Sequence, residues 1–440
     1  MARKMKDSGI EWIGEIPKDW EIRKIKYLFS VGKGLNITKE NLKEQGVAVI
    51  SYGQIHSKLN PFYKISDDLI RFVDESYLKT GNLSLVNQGD FIFADTSEDV
   101  QGCGNFIYVD GQQTMFAGYH TIILRSLAPK DNKFFAFLFM SDCWRKQIRE
   151  CVNGVKLFSI SQKLIKKTSI LIPPEDEKVR IVNYLEEHCA TIDNVLDKIR
   201  ASIEEYKKLK QAVITQAVTK GIRNNRGLKD SQSTWFGQIP SDWNMRKIKY
   251  IFKIQKDIAG EEGHAVLSIT QKGIKPKDLS KNEGQLAENY SKYQLVHIGD
   301  FAMNHMDLLT GWVDISKYEG VTSPDYRVFG LIDKDNYCSQ YYLYLMQMCY
   351  TNRIFYGLGQ GVSGLGRWRL QADKFLNFSI TVPSYEEQKE IANYLDQKCL
   401  AIDELIAKKE QYLSEIENYK KSLIYEYVTG KKEVPCESTD

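Results

Sequence analysis

The sequence lacks several patterns, and each absence excludes a class of protein. Its eight cysteines contain no C-x-x-C pair, which argues against a disulfide framework and a zinc site. It has no run of about 18 apolar residues, so we expect no membrane span. Its charged first eleven residues lack the apolar core of a secretion signal. We therefore expect a cytoplasmic protein that binds no metal.

The chain also lacks a large excess of either sign of charge. Lys and Arg exceed Asp and Glu by only three, whereas nucleic-acid-binding domains are commonly strongly basic. Acids outnumber bases in 175–220 and 386–430, so the rest of the chain carries the surplus of bases. A phosphate-binding surface would lie on that remainder, although ordinary surface lysine explains so small an excess equally well.

The chain contains an internal repeat. The segment 12–20, Trp-Ile-Gly-Glu-Ile-Pro-Lys-Asp-Trp, recurs at 235–243 as Trp-Phe-Gly-Gln-Ile-Pro-Ser-Asp-Trp, and Arg-Lys-Ile-Lys-Tyr at 23–27 recurs at the same offset of 223 residues. Gly-Asp-Phe at 89–91 and Asn-Tyr-Leu at 183–185 recur at an offset of 210. Between such blocks the two halves hardly agree. A constant frame around two variable interiors predicts two diverged copies of one module, each doing the same job on a different target.

Each half ends in a predicted long helix. Acidic residues soon follow Pro174 and Pro383, which is typical of a helix N-terminus, and the helices end near Gly221 and Gly430. Apolar side chains alternate at spacings of four and three, as in a coiled-coil seam, with Lys409 off the pattern. Each helix would have roughly 37 residues and a length of about 55 Å. Two such stripes are buried most simply against each other in an antiparallel pair.

The rest of the chain predicts mixed α/β modules. Short β-like runs such as 47–50, 91–93 and 169–172 alternate with Gly, Asn and Asp. The predicted fold class is α+β: two similar α/β domains separated by two long antiparallel helices, with a pseudo-twofold internal repeat. The predicted domains are an N-terminal globular domain (1–172), a central helical spacer (173–220), a connector with the C-terminal globular domain (221–382), a C-terminal helical spacer (383–430) and a polar tail (431–440).

These blocks, duplicated and in this order, resemble the specificity subunit of Type I restriction-modification systems over nearly the whole chain. The resemblance rests on Trp-Ile-Gly-Glu-Ile-Pro at 12–17 and on the proline and acidic turns at 172–177 and 382–388. It implies two target-recognition domains that bind a bipartite, asymmetric site on double-stranded DNA, with the helices as a spacer. Such a protein serves in defence against foreign DNA and is not itself an enzyme.

The resemblance also implies partners. Two modification subunits would dock on the chain and supply S-adenosylmethionine-dependent adenine methylation, and restriction subunits would join through them. We expect no cofactor on this chain; S-adenosylmethionine, ATP and Mg are expected on the partner subunits. Equivalent major-groove faces recur about every 34 Å along DNA, so a rigid helical pair is a sensible ruler between two DNA-reading modules.

The candidate DNA-contacting residues are polar side chains on predicted loops. Arg and Lys suit guanine, Asn and Gln suit adenine, and Ser and Thr suit either. The candidates in the first half are Gln54, His56, Lys58, Ser97, Gln101, Lys156 and Ser159. The candidates in the second half are Gln271, Lys272, Asn304, His305, Thr310, Arg367 and Arg369. For any single residue, ordinary solvent exposure explains the pattern at least as well.

Two other classes of function stay open. The first is a DNA adenine methyltransferase or nuclease acting by itself. Phe-Tyr-Gly-Leu-Gly at 355–359 and Ser-Pro-Asp-Tyr at 323–326 resemble parts of a methyltransferase site, and Asp-Glu-Lys at 176–178 resembles part of a nuclease site. None of these motifs lies within a complete site. The six histidines show no i, i+4 metal pair. A coiled-coil interaction scaffold is supported by the small net charge. Binding of S-adenosylmethionine or Mg²⁺ tests the first class, and salt-dependent binding to duplex DNA tests the second.

Overall fold

The chain folds into two compact units. The computed structural model describes residues 3–127, 132–152, 154, 156–278, 289–361 and 368–435. The first unit comprises Met1–Ile199 and Gln411–Asp440, and the second comprises Arg200–Glu410. Each unit therefore contains one α/β module together with a segment from each of two long helices.

Short strands make up most of the first module. The strands are β1 (Met5–Asp7), β2 (Glu15–Pro17), β3 (Glu21–Lys24), β4 (Phe29–Lys33), β5 (Val47–Ile50), β6 (Arg71–Val73), β7 (Leu85–Val86), β8 (Phe91–Ala94), β9 (Thr96–Ser97), β10 (Phe106–Tyr108), β11 (Met115–Ala117), β12 (Thr121–Ser126), β13 (Phe158–Ser159) and β14 (Ser169–Ile172). The short helices are α1 (Tyr52–Ile55), α2 (Tyr77–Thr80), α3 (Lys133–Met140), α4 (Asp142–Arg149) and α5 (Gln162–Lys167). The first long helix, α6 (Glu175–Lys220), follows β14.

The second module is built in the same way. Its strands are β15 (Leu228–Asp230), β16 (Gln238–Pro240), β17 (Asn244–Lys247), β18 (Phe252–Gln255), β19 (Leu267–Thr270), β20 (Gly273–Pro276), β21 (Gln294–Val296), β22 (Phe301–Met303), β23 (Val313–Ile315), β24 (Gly320–Thr322), β25 (Arg327–Leu331), β26 (Gln360–Gly361), β27 (Trp368–Arg369) and β28 (Ser379–Val382). Its helices are α7 (Ser339–Thr351), α8 (Ile354–Leu358) and α9 (Ala372–Asn377), and the second long helix, α10 (Tyr385–Val428), follows β28.

The central sheet of the first unit is antiparallel, with the strand order β10-β8-β12-β4. Because successive strand residues point to opposite faces, its apolar side chains enter two cores. Phe91 and Phe93 lie in the core that contains Trp20 and Trp144. Ile92 lies in the core shared with a second sheet, whose order is β6-β5-β11-β7. The central sheet is therefore buried on both faces.

The two units share their central strand order and differ in their interiors. The order β18-β25-β22-β23 in the second unit reproduces β4-β12-β8-β10 of the first. In place of the four-stranded second sheet, the second unit has the pairs β19-β20 and β21-β24. The predicted constant frame around variable interiors, and with it the predicted fold class, is confirmed.

The repeated Gly-Asp-Phe block forms the same turn in both units. Gly89 has a φ of 94° and Gly299 a φ of 92°, in the left-handed region that glycine adopts without a steric penalty. The Asp90 carboxylate accepts the Asn87 backbone N–H at 2.9 Å, and the equivalent bond in the second unit is also 2.9 Å long. The block therefore turns the chain into the central strands β8 and β22.

Both long helices exceed the predicted length, with 46 residues in α6 and 44 in α10. The predicted length was counted from the first apolar residues of the seam, Leu185 and Leu395, and so left out the acidic first turns, which are part of the same helices. Within the first unit the two helical segments run antiparallel. The Lys420 ammonium donates to Asp193 at 2.5 Å, and the rings of Tyr184 and Tyr427 lie 4.5 Å apart.

The helical segments of the second unit are also antiparallel. Lys210 pairs with Asp403 at 2.6 Å, and the Lys409 ammonium lies 5.6 Å from the centre of the Tyr206 ring. Lys409, which interrupts the apolar pattern, is therefore accommodated by a cation–π contact.

A buried ion cluster joins each module to the first turn of a long helix. In the first unit, the fully buried Trp20 donates its indole N–H to Glu177 at 2.9 Å, and Arg3 donates to the same carboxylate at 2.7 Å. In the second unit, Trp243 donates to Glu387 at 3.0 Å, and Arg226 forms an ion pair with it. The repeated tryptophans and acidic turns are thus two parts of one structural device. The engaged carboxylates explain the Asp-Glu-Lys motif without a nuclease site.

Candidate nucleic-acid interface

The first unit contains an open cleft of about 1060 Å³ beside the end of β4. It lies between the segment after β4, the Tyr119–Ile122 segment and the start of α5. It is lined by Lys33, Gly34, Leu35, Asn36, Ile37, Asp95, Tyr119, His120, Thr121, Ile122, Ile160, Ser161, Gln162, Lys163 and Lys166. Three lysines against one aspartate give this described lining a net positive charge.

Two loop regions predicted to contact DNA meet at this cleft. Strand β13 pairs with β9, which places Ser159 opposite Thr96. The Ile160 N–H then donates to the Asp95 carbonyl at 2.7 Å. From α5, the Gln162 side chain donates to the Gly32 carbonyl at 3.0 Å. Backbone and side-chain bonds therefore hold the start of α5 against β4 and the segment after β8.

Two polar side chains of this cleft contact each other. The His120 ring lies 3.2 Å from the Asp95 carboxylate, and His120 has a φ of 53°, a left-handed conformation that is uncommon outside glycine. Its ring also makes an edge contact with Tyr52, with the ring centres 5.6 Å apart. The pairing leaves Lys33, Lys163 and Lys166 as the exposed cations of the lining.

The structure divides the predicted residues of the first unit into two groups. The His56 ring is bonded on one side to the Thr96 carbonyl at 2.8 Å and on the other to Asn105 at 3.1 Å. Gln54 accepts the Ser51 N–H at 3.1 Å, and the buried Ser97 donates to the Asp99 carbonyl at 2.7 Å. These side chains are engaged within the protein. The exposed candidates are Lys58, Gln101, Lys156 and Ser159.

The second unit has a cleft of about 370 Å³ at the equivalent place. It is lined by Ile254, Lys256, Ile258, Gln294, His305, Pro324, Tyr326, Arg327, Arg369, Gln371 and Ala372. The Leu370 N–H donates to the His305 carbonyl at 3.0 Å, which reproduces the bond between Ile160 and Asp95 in the first unit. The frame is therefore the same, while a histidine stands where the first unit has an aspartate.

Three basic side chains and a histidine face the second cleft. None of its described lining residues is acidic. Buried nitrogens of His305, Arg327 and Arg369 have no hydrogen-bond partner among the described residues. Burial and the two nearby guanidinium groups lower the pKa of His305 to about 3, so its ring is neutral near pH 7. Burial likewise lowers the pKa of Arg327 to about 10. The cleft therefore suits a group rich in hydrogen-bond acceptors.

The other predicted residues of the second unit have mixed positions. Asn304 accepts the backbone N–H groups of Met306 and Asp307, at 3.2 and 3.3 Å, and so holds a turn. Thr310 donates to the Asp307 carboxylate, and Gln271 donates to the Thr310 carbonyl at 3.3 Å. Lys272 is exposed between β19 and β20. Arg367 lies outside the described residues.

Sequence reasoning missed several residues of the clefts. They are Lys33, Asn36, His120, Gln162, Lys163 and Lys166 in the first unit and Lys256, Arg327 and Gln371 in the second. Lys33 and Lys256 are related by the 223-residue offset, so the repeat could have revealed them. Arg327 begins a buried strand and gave no such signal.

The methyltransferase-like segment at 355–359 has a packing role. Phe355 is fully buried in the core of the second unit. A Cβ atom on Gly357 would come within 2.5 Å of the Trp235 ring, so the glycine permits this contact. No group of three or more potential metal-ligating side chains occurs among the described residues. Within the same described ranges, no helix is both long enough and apolar enough to cross a membrane.

Comparisons with known proteins agree on one family. The family model described as Type I restriction modification DNA specificity domain matches twice, at 17–205 and 240–418. The chain is 25% identical over 440 residues to the type I restriction enzyme MjaX specificity subunit of Methanocaldococcus jannaschii, covering 95% of each chain. It is 24% identical over 214 residues to the MjaVIII specificity subunit of the same organism, covering 48% of each chain.

A solved structure supports the fold. That structure concerns complex assembly and conformational transition of the type I R-M system, and its matching chain has a TM-score of 0.64 at 15% identity. The match covers 95% of the present chain and 99% of the other. The whole two-module architecture is therefore shared.

Proposed function

Because the chain belongs to the family of Type I restriction modification DNA specificity domains, we propose that its two units read the two halves of one bipartite, asymmetric site on double-stranded DNA. The chain is a specificity subunit, which recognises DNA sequence and carries out no catalysis itself. The observation that carries the proposal is the pair of clefts, which share one frame but differ in their side chains. Two different half-sites require such constant geometry with variable chemistry.

The chemistry of the second cleft suits guanine. Guanine presents the acceptors O6 and N7 in the major groove, and arginine is the side chain that most often binds them. Arg369 is half-buried at the cleft and Arg327 is 5% exposed behind it. The proposal therefore assigns base contact to Arg369 and a positioning role to Arg327, which also donates to the Leu370 carbonyl at 3.0 Å.

The first cleft suits a different half-site. The exposed Asn36 amide can pair with adenine, and Lys33, Lys163 and Lys166 can reach phosphates or guanine. The Asp95 carboxylate, paired with His120, can accept from a cytosine amino group if that pair opens. The two clefts would therefore prefer unlike bases.

Roles for the sequence-predicted candidates follow from their bonding. Direct DNA contacts are proposed for Arg367, which is undescribed, and for the exposed members whose side chains take part in none of the hydrogen bonds given above, which are Lys58, Gln101, Lys156, Ser159 and Lys272. Positioning roles are proposed for those bonded within the protein, which are Gln54, His56, Ser97, Gln271, Asn304 and Thr310. The neutral His305 would offer one hydrogen bond within the second cleft.

The partners belong to the same proposal. Two modification subunits would dock on the chain and carry S-adenosylmethionine, and restriction subunits with ATP and Mg would join through them. Support comes from the family match and from the related structure, which concerns assembly of a type I R-M system. We also propose a cytoplasmic location, recognition domains at 1–172 and 221–382, and helical spacers at 173–220 and 383–430.

The decisive experiment measures sequence-specific DNA binding by the full chain. Methylation-sensitive sequencing of host DNA, with and without the gene, would define the target. Fluorescence anisotropy with that duplex should then show that Arg369→Ala costs about 1–3 kcal/mol and relaxes specificity at one position of one half-site. Lys334→Ala, at an exposed lysine of the same unit, is the matched control and should leave specificity unchanged.

Two results would contradict the proposal. An equal loss of affinity for target and random duplexes would make Arg369 a phosphate contact. Methyl transfer or cleavage by the purified chain alone would make it an enzyme. The scaffold alternative predicts no salt-dependent binding to any duplex, whereas phosphate contacts require affinity to fall steeply with salt.

A further inference from the structure

A set of exposed residues is identical in the two units. We define the basic turn as Arg23, Lys24, Lys26 and Tyr27 in the first unit and Arg246, Lys247, Lys249 and Tyr250 in the second. All eight are exposed. Tyr27 is 65% exposed and Tyr250 is 59% exposed, so packing inside the protein does not account for the identity of these large side chains.

Several exposed neighbours of the basic turn have changed between the units, although Asp19 and its equivalent Asp242 have not. Lys18 corresponds to a serine, Glu21 to an asparagine and Ser30 to a lysine in the second unit. Each of these differences alters the local charge. By contrast, the turn keeps three cations and one aromatic ring at the same places. Common descent alone would have let these exposed positions drift like their neighbours, so the identity points to a shared ligand.

The lysine–tyrosine contact of the basic turn recurs in both units. The Lys26 ammonium lies 4.8 Å from the centre of the Tyr27 ring, and the Lys249 ammonium lies 5.3 Å from that of Tyr250. In the second unit, an open cleft of about 640 Å³ is lined by Met245, Arg246, Lys247, Tyr250 and Ser379. The turn thus presents an accessible cationic surface.

The basic turn also lies beside the proposed base-reading cleft. Helix α5 packs against the turn in the first unit, and α9 packs against it in the second. Lys163 and Lys166 of α5 line the first cleft. In the first unit, cations therefore extend from the cleft along α5 to the turn.

We propose that the basic turn is a sequence-independent contact with the DNA phosphate backbone, used once by each unit. This inference rests on the proposed function and adds a second surface to it. The two clefts differ because the two half-sites differ in their bases. The phosphate backbone is the same in both half-sites, so residues that bind it have reason to stay identical.

The test compares paired lysine substitutions in the full chain. The variants are Lys24→Ala/Lys26→Ala and Lys247→Ala/Lys249→Ala, with Lys317→Ala/Lys334→Ala as the control that removes two exposed lysines elsewhere. Each turn variant should lose affinity by the same factor for target and random duplexes. Its plot of log affinity against log salt should be shallower by about 2, because each lost phosphate contact reduces the slope by about 0.9. The control should keep both the affinity and the slope of the wild type.

Other outcomes overturn the inference. An unchanged salt slope with weaker assembly with the modification subunit would make the turn a protein-binding surface. A loss confined to the target duplex would make it a base-reading element. If the wild type binds DNA and Arg369→Ala relaxes specificity while the turn variants behave as the control, this inference alone fails. If the wild type binds no duplex, the proposed function fails as well.

Discussion

Glu387→Gln is expected to destabilise the second unit by about 3 kcal/mol. The Glu387 side chain is 2% exposed and binds both Arg226 and the indole of Trp243. Glutamine keeps the shape and can still accept the indole N–H, but Arg226 loses its buried counter-charge. Removing one partner of a buried pair costs roughly 3–5 kcal/mol. Asp242, which stays bonded to Arg226 at 2.6 Å, places the expected value at the lower end.

The same helix supplies a matched control in Glu390→Gln. Glu390 pairs with Arg223 at 2.6 Å, but both side chains are about half exposed. Exposed pairs contribute roughly 0–1 kcal/mol, so this variant should unfold almost like the wild type. Thermal unfolding followed by circular dichroism and tryptophan fluorescence is the assay. For a unit of this size, the expected loss corresponds to a fall in Tm of about 6–12 °C.

The comparison between the two variants tests whether the buried ion cluster stabilises the second unit. If Glu387→Gln unfolds at the same temperature as Glu390→Gln, the buried cluster does not stabilise the junction between module and helix. The repeated tryptophan would then need another explanation. Glu177→Gln in the first unit should be destabilising in the same way as Glu387→Gln, because Trp20 and Arg3 are the equivalent partners of Glu177.

Two further predictions concern single positions. The pKa of His305 is lowered to about 3 in the fold, whereas it is near 6.5 in the unfolded chain. The unfolded chain therefore binds more protons in acid. The contribution of His305 to stability is complete above about pH 6.5 and is lost as the pH falls toward 3. His305→Gln should accordingly lose less stability than the wild type between about pH 7 and pH 4 in urea unfolding, and an equal loss would contradict the burial argument. Gly299→Ala should cost about 1 kcal/mol from its φ of 92° alone, since nothing lies within 4 Å of the added Cβ. Gly53→Ala, also in open space but without a positive φ, is the control and should not destabilise.

The repeat made much of the architecture predictable from sequence. Gly89 and Gly299 marked equivalent turns, and Trp20 and Trp243 marked equivalent blocks. What the tryptophans do was not predictable, because Glu177 lies 157 residues from Trp20 along the chain. Helix length was underestimated because it was counted along the apolar seam alone and left out the acidic N-terminal turn.

The candidate site was only partly predictable for a similar reason. His56 was selected as a polar residue on a loop, but its ring is bonded to Thr96 and Asn105, 40 and 49 residues away. Local sequence contains no sign of such partners. Arg327 was missed because an arginine at the start of a buried strand indicates a structural role from sequence. Only the structure shows that it lines a cleft.

The bonds that build the clefts explain how one frame can support two chemistries. The bond from Ile160 to Asp95 and that from Leu370 to His305 join backbone atoms. Their strength does not depend on which side chain stands at either position. An aspartate can therefore face one cleft and a histidine the other without a change in the strands that hold them. Substitutions of Asp95 or His305 should accordingly alter the DNA sequence that is recognised while leaving the central sheet in place.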